Sequence, residues 1–171
     1  MRPDDARAYT EGTADASVRR YAHLPEPEYT EASVKSLIRG AVSEGLERGD
    51  LAVLTIGDPA TDEFAGSLVL FDVTDDSVEV GFWTHPRHRG KGLSGAALSL
   101  ALVLAQRSGL TRLTARTVPE NLASQRVLEQ AGFTRGAVVH DVAPSGEALM
   151  LLHYSREVST NSLAPSQLPK T

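Results

Sequence analysis

Ser77-Val78-Glu79-Val80-Gly81-Phe82-Trp83-Thr84-His85-Pro86-Arg87-His88-Arg89-Gly90-Lys91-Gly92-Leu93 is the stretch on which the fold turns. Its first eight residues are β-prone and alternate, so they read as a strand. The segment 93–106, LSGAALSLALVLAQ, is apolar nearly all round, which at that length suits a helix packed against a sheet. Between them lies a glycine-bearing turn, so unpaired backbone N–H groups converge at the positive end of a helix dipole, where anions bind. Gly90 and Gly92 permit unusual φ angles and let a phosphate approach the main chain with no Cβ in the way. Arg87, His88, Arg89 and Lys91 add charge at the rim. A plain glycine turn joining strand to helix is the simpler alternative, as a solvated charged loop is for the basic run.

Two other phosphate loops fail. A Walker A loop needs Gly five positions before Gly90, where His85 stands, and Ser or Thr after Lys91, where Gly92 stands. The dinucleotide fingerprint follows a first strand and has an acid about 20 residues on, whereas this loop follows several strands and no suitable acid lies near 112.

Outward from the loop, Thr30 precedes apolar residues at Val34, Leu37, Ile38, Ala41, Val42 and Leu46, an amphipathic helix stopped by Gly49. Leu51–Ile56, Gly66–Phe71 and Ser77–Thr84 read as consecutive antiparallel strands. After the helix from Leu93 come a strand at Leu113–Thr117 and a helix at Asn121–Ala131. A final hairpin, Val138–Val142 with Leu149–Tyr154, closes around Pro144-Ser145-Gly146. Strand, crossover helix and strand imply one parallel pair inside a mixed, mostly antiparallel α/β sheet.

With 171 residues, 41% hydrophobic and 23% charged, the chain fits one domain over 1–158, followed by a polar, proline-bearing tail at 159–171 expected to be disordered. Zero cysteines exclude disulfides and thiolate chemistry, and a cytoplasmic setting is the expectation. No stretch resembles a signal peptide or a membrane span. A net charge of −5 argues against a nucleic-acid partner. His85 and His88 sit three apart without a third ligand, so no metal is expected.

A second motif stands thirty residues after the loop: Asn121-Leu-Ala-Ser124-Gln-Arg-Val-Leu128-Glu129-Gln-Ala-Gly132-Phe133. Together, R-x-x-G-x-G opening one helix and N-x-x-S-x-x-V-L-E-x-x-G-F forming the next resemble the GCN5-related N-acetyltransferase superfamily. Residues 79–92 resemble its ribosomal-protein N-terminal acetyltransferase (RimJ/RimL-like) branch. The similarity is concentrated in 64–135.

The resemblance implies acetyl-CoA as co-substrate and direct attack by an acceptor amine on its thioester, with no acyl-enzyme. The strand before the loop splays from its neighbour, so Phe82, Trp83 and Thr84 offer backbone groups to pantetheine, and amides from His88 to Leu93 hold the pyrophosphate. Asn121 matches the asparagine that bonds the cofactor arm, although it also reads as a plain N-cap. Glu79, the single carboxylate on the face it shares with Gly81 and Trp83, is the candidate base, acting through water; an exposed strand glutamate is the alternative. A backbone N–H of Phe82 or Trp83 serves the oxyanion.

The superfamily's helix tyrosine is absent: Leu128 stands before Glu129. Ser124 is the replacement acid suggested by the branch, or else a small residue required for packing. Acceptor contacts are expected from 10–50 and the final hairpin, with Glu26, Glu28 and Glu31 able to attract a cation or to solvate a helix start. Tyr9, Tyr154, His23, His140 and His153 have no assigned role. Met1–Ala6 resembles the turn after a first strand, and an uncovered sheet edge would favour a homodimer. The competing classes are a non-catalytic acetyl-CoA-binding or sensing domain and, more remotely, a nucleotide-binding protein.

Overall fold

A computed structural model describes residues 1–158; the expected tail at 159–171 lies outside the described residues. The chain opens with a 3-10 turn at Pro3–Asp5, then α1 (Ala6–Thr13) and α2 (Ala16–Tyr21). The turn matches the expectation, but neither helix was anticipated. Both are short, and Gly12, Thr10 and Thr13 dilute the apolar period of α1. The signal for α2 was present, because Asp15 caps it by accepting from Ser17 N and Val18 N.

The helix anticipated from Thr30 is α3 (Glu31–Leu37), capped by Thr30, then one π turn at Ile38–Val42 and α4 (Ser43–Arg48). Gly49 ends it in the left-handed region at φ 78°. The interruption falls at Gly40, whose φ of −98° and ψ of −107° are not helical.

The remainder is β1 (Ala52–Gly57), β2 (Phe64–Phe71), β3 (Ser77–Thr84), α5 (Leu93–Arg107), β4 (Arg112–Thr117), α6 (Leu122–Gln130), β5 (Thr134–Val142) and β6 (Ala148–Glu157). The sheet order is β1-β2-β3-β4-β6-β5, with β3 and β4 as its parallel pair. That pair holds only from Ser77↔Arg112 to Glu79↔Thr114. Beyond it β3 stays on β2 as far as Thr84↔Gly66, while β4 stays on β6 as far as Thr117↔Leu152. The sheet therefore splits down its middle, because each strand keeps its antiparallel partner and loses its parallel one.

Alternation along β3 feeds two cores. Val78 and Val80 join Leu98, Ala101 and Ala105 of α5, Leu113 of β4 and Leu128 of α6. Truncating any of these fully buried leucines to alanine costs about 2–5 kcal/mol. Trp83, on the other face, joins Tyr9, Val18, Val34, Ile38 and Phe64. Helix α1 lies so close there that a Cβ on Gly12 would stand 2.5 Å from the Trp83 ring. The outer face of α5 is not covered as its sequence suggested: Leu100, Val103 and Leu104 are exposed. At the sheet edge, the Met1 amino group donates to Val53 O of β1 at 3.0 Å. Among the described residues no helix is long and apolar enough to cross a membrane.

Candidate active site

Helix α5 starts at Gly92 with no side-chain cap, and Gly90 and Gly92 have φ of 76° and 73°. A Cβ on either would meet nothing within 4 Å, so both glycines border open space. That space is a depression of about 540 Å³ walled by Thr84, Gly90 to Gly95 and, opposite, Val127, Gln130 and Ala131 of α6.

The structure narrows the expected anion set. The His88 amide donates to His85 O at 2.9 Å and the Arg89 amide to Pro86 O at 3.5 Å, closing a 3-10 turn. Both N–H groups are therefore engaged within the turn. The basic side chains are paired as well. Arg87 reaches Glu11 at 3.5 Å, Arg89 reaches Asp15 at 2.6 Å and Lys91 reaches Asp58 at 2.8 Å. His88 is buried, with Nδ1 3.2 Å from Asp58. Lys91 foremost, with the Ala60 amide and His88, holds the Asp58 carboxyl down at about 2. The loop's charge is thus largely neutralised by side chains of its own fold.

From this depression a groove of about 390 Å³ runs between the end of β3 and α6, sharing Thr84, Gly90, Ser94 and Val127 with it. Thr84 Oγ1 and Ser94 Oγ, 2.5 Å apart, tie the end of β3 to the first turn of α5. The phase of β3 follows from one bond. His85 N donates to Ala65 O, so the odd-numbered residues of β3 address β2, and Phe82 and Thr84 turn their backbone groups toward the split. Trp83 turns its backbone groups toward β2, and its side chain is buried among aromatic rings.

Asn121 caps α6, its Oδ1 accepting from Ser124 N at 3.2 Å. The cap leaves its carboxamide nitrogen as the group it can offer the groove. Asn121 and Ser124 border both the groove and a third cavity of about 300 Å³, into which the groove opens.

Glu79 lines that inner cavity and is buried, at 9% exposure, so it is not an exposed strand glutamate. Arg116 Nε donates to both its oxygens, at 3.0 and 2.9 Å. Arg116 Nη1 donates in turn to Asp141 at 2.8 Å and to Val142 O at 3.1 Å. Burial pushes the Glu79 carboxyl above the usual range, and Arg116 opposes that rise without cancelling it.

Three comparisons place this geometry. The model of the "Acetyltransferase (GNAT) domain" matches residues 1–134, which is most of the chain. The chain belongs to the GNAT acetyltransferase family. A probable N-acetyltransferase of Bacillus subtilis, YjcK, is 30% identical over 56% of this chain and 55% of its own length, so the match spans about half of that protein. The uncharacterized N-acetyltransferase YnaD of the same organism is 25% identical over 83% of this chain and 81% of its own.

Among solved structures, Mycobacterium smegmatis RimJ in complex with CoA-disulfide shares the fold with a TM-score of 0.80 and 24% identity, over 92% of this chain and 79% of that one. Spermidine N-acetyltransferase from Vibrio cholerae, in complex with CoA and spermine, gives 0.76 and 16%, over 94% of each chain. RimL, a ribosomal L7/L12 alpha-N-protein acetyltransferase in complex with coenzyme A, gives 0.79 and 16%, over 94% of this chain and 93% of that one, so the resemblance to the RimJ/RimL-like branch read from residues 79–92 is matched by the fold.

Several features of this GNAT domain escaped sequence reading. Arg116 sits in Arg112–Thr117, which reads only as a strand, and its partnership with Glu79 depends on β3 and β4 lying side by side. Tyr9 lines the inner cavity, edge-on to Tyr29 and Trp83 at 5.3 and 5.2 Å between centroids. Tyr154 belongs to the core and donates to Glu129 at 3.0 Å, which explains the glutamate of the second motif. Glu26 lies at the cavity, whereas Glu28 and Glu31 pair with Arg19 and Lys35 on the surface. His23 also lines the cavity.

Proposed function

We propose that this GNAT domain transfers acetyl from acetyl-CoA to a primary amine by direct attack. The observation that carries the reading is continuity: the uncapped start of α5, the split between β3 and β4 and the cavity holding Glu79 form one path. A diphosphate fits the first part, where open glycines and α5 N–H groups offer donors without side-chain obstruction. Gly90, Lys91, Gly92 and Leu93 would supply main-chain amides, Phe82 and Thr84 would pair with the pantetheine arm along the split, and Asn121 would bond the arm from the opposite side.

Acetyl-CoA, when bound, supplies the thioester to be attacked. In the reaction a C–N bond forms as the C–S bond breaks. The proton lost by the amine passes to Glu79 through a water, and the departing sulfur receives one from Ser124, whose oxygen recovers a proton from solvent as Glu79 releases its own, so both side chains return to their starting state. Glu79 suits this work because a raised carboxyl pKa brings a base nearer to working pH, while Arg116 fixes its orientation. The amide of Phe82, turned toward the split, is positioned for the developing oxyanion. The thiolate needs only modest help, with a thiol pKa of about 8.5.

The second reading, a non-catalytic acetyl-CoA-binding domain, is favoured by one feature: Leu128, where relatives carry tyrosine, is fully buried and offers no proton. Thiol release from acetyl-CoA over a panel of peptides and amines, with mass detection of the acetylated product, separates the two. Turnover on any amine, reduced in Ser124→Ala, supports transfer; saturable binding of CoA with no product on every acceptor supports the second reading.

A further inference from the structure

The inner cavity shares Glu79 to Trp83, Asn121, Ser124 and Leu128 with the two motifs and takes the rest of its walls from parts of the chain that no motif covers. The protein has nine aromatic residues, and six of them line this one space: Tyr9, Tyr21, Tyr29, Phe71, Phe82 and Trp83. They arrive separately, from α1, α2, the loop before α3, β2 and β3. Charge is scarce there by comparison. Glu79 already receives Arg116 on both oxygens, and Glu26 lies exposed at the rim.

Resting on the transfer reading above, we infer that the acceptor is a primary amine a few bonds from an apolar group of aromatic size, not a polyamine. An apolar cavity of about 150 Å³ suffices for one benzene ring. A volume of about 300 Å³ therefore admits a ring together with the reacting amine. Apolar walls also favour the neutral form of that amine, the form that attacks. A second ammonium group of a polyamine would have to reach Glu26 at the exposed rim to meet a carboxylate not already held by arginine, and held among the aromatic walls it would stand unpaired at a cost of several kcal/mol. The same chemistry occurs in a free arylalkylamine and at the N-terminus of a peptide whose first residue is bulky and apolar.

The test measures kcat/KM with acetyl-CoA for phenethylamine, a Phe-initiated tripeptide, the matching Gly-initiated tripeptide, ethylamine and spermidine. Phenethylamine is expected to exceed ethylamine, and the Phe peptide the Gly peptide, by tenfold or more, with spermidine below both aromatic acceptors. Which aromatic acceptor leads identifies the source. Phe71→Ala is expected to shrink the aromatic preference at least threefold while CoA binding, measured by calorimetry, stays unchanged. Acetylation of spermidine or of the small amines at equal or higher efficiency overturns the acceptor class and leaves transfer standing. CoA binding without acetylation of any acceptor overturns transfer, and this inference with it.

Discussion

On the reading proposed above, the cofactor side and the acceptor side of the path are built from different materials. The cofactor side is main chain: glycine amides at the head of α5 and the loose backbone edge of β3, with its basic side chains occupied by Glu11, Asp15 and Asp58. The acceptor side is side chain: aromatic rings and a buried Glu79–Arg116 pair gathered from segments as distant in sequence as Tyr9 and Arg116. Backbone recognition needs only a local conformation, so few residues specify it. Side-chain recognition needs the whole fold, which leaves its composition free to change with the acceptor.

Changing the acceptor side alone should give the largest effect. Glu79→Gln is expected to lower kcat about 10²- to 10⁴-fold, the range for loss of a general base, with CoA affinity unchanged by calorimetry. The wild-type acid limb should lie above the ordinary carboxylate range, because burial raises the Glu79 pKa: the base is active above that pKa and activity falls as pH drops through it. An acid limb at ordinary carboxylate values, or undiminished turnover in the glutamine variant, would remove Glu79 from the mechanism.

On the cofactor side, Gly90→Val with Gly92→Val should weaken CoA binding by about tenfold or more. Each left-handed β-branched residue costs about 1–2 kcal/mol, and the added methyls fill the open space. CoA retention in this double variant would break the contrast between the two sides, since its backbone half would then be unnecessary.

The smallest expected effect tests whether internal charge holds the loop in shape. Asp58→Asn should raise the KM for acetyl-CoA a few-fold while kcat at saturation is kept. Its stability deficit should also depend on pH. The Asp58 carboxyl is depressed to about 2 when folded, so its contribution is present above the unfolded value and lost as pH falls toward about 2. Melting curves of wild type and variant should therefore converge in acid; a constant gap would mean that the Lys91 and His88 contacts do not set the loop.

Strands β1 to β4, helices α5 and α6 and the final hairpin were legible because period-two and period-3.6 patterns ended at glycine and proline signals. The glycine loop was equally legible, since strand, Gly90, Gly92 and helix are contiguous. Helices α1 and α2 were not: six to eight residues carry too little periodicity, and their shape comes from packing on Trp83 and Phe64. Nor was the fate of His88, which reads as a surface cation and lies buried against an aspartate thirty residues earlier.

By itself, then, the sequence determined the element order from α3 onward, the glycine turn between β3 and α5 and the family, because each rests on neighbours along the chain. Only the tertiary structure decided that Arg116 clamps Glu79, that Trp83 serves the core while Phe82 and Thr84 face the split, and that six aromatic residues line the inner cavity. Those facts depend on long-range pairing, above all on where the β3–β4 ladder stops, and no local propensity encodes the point at which two strands part.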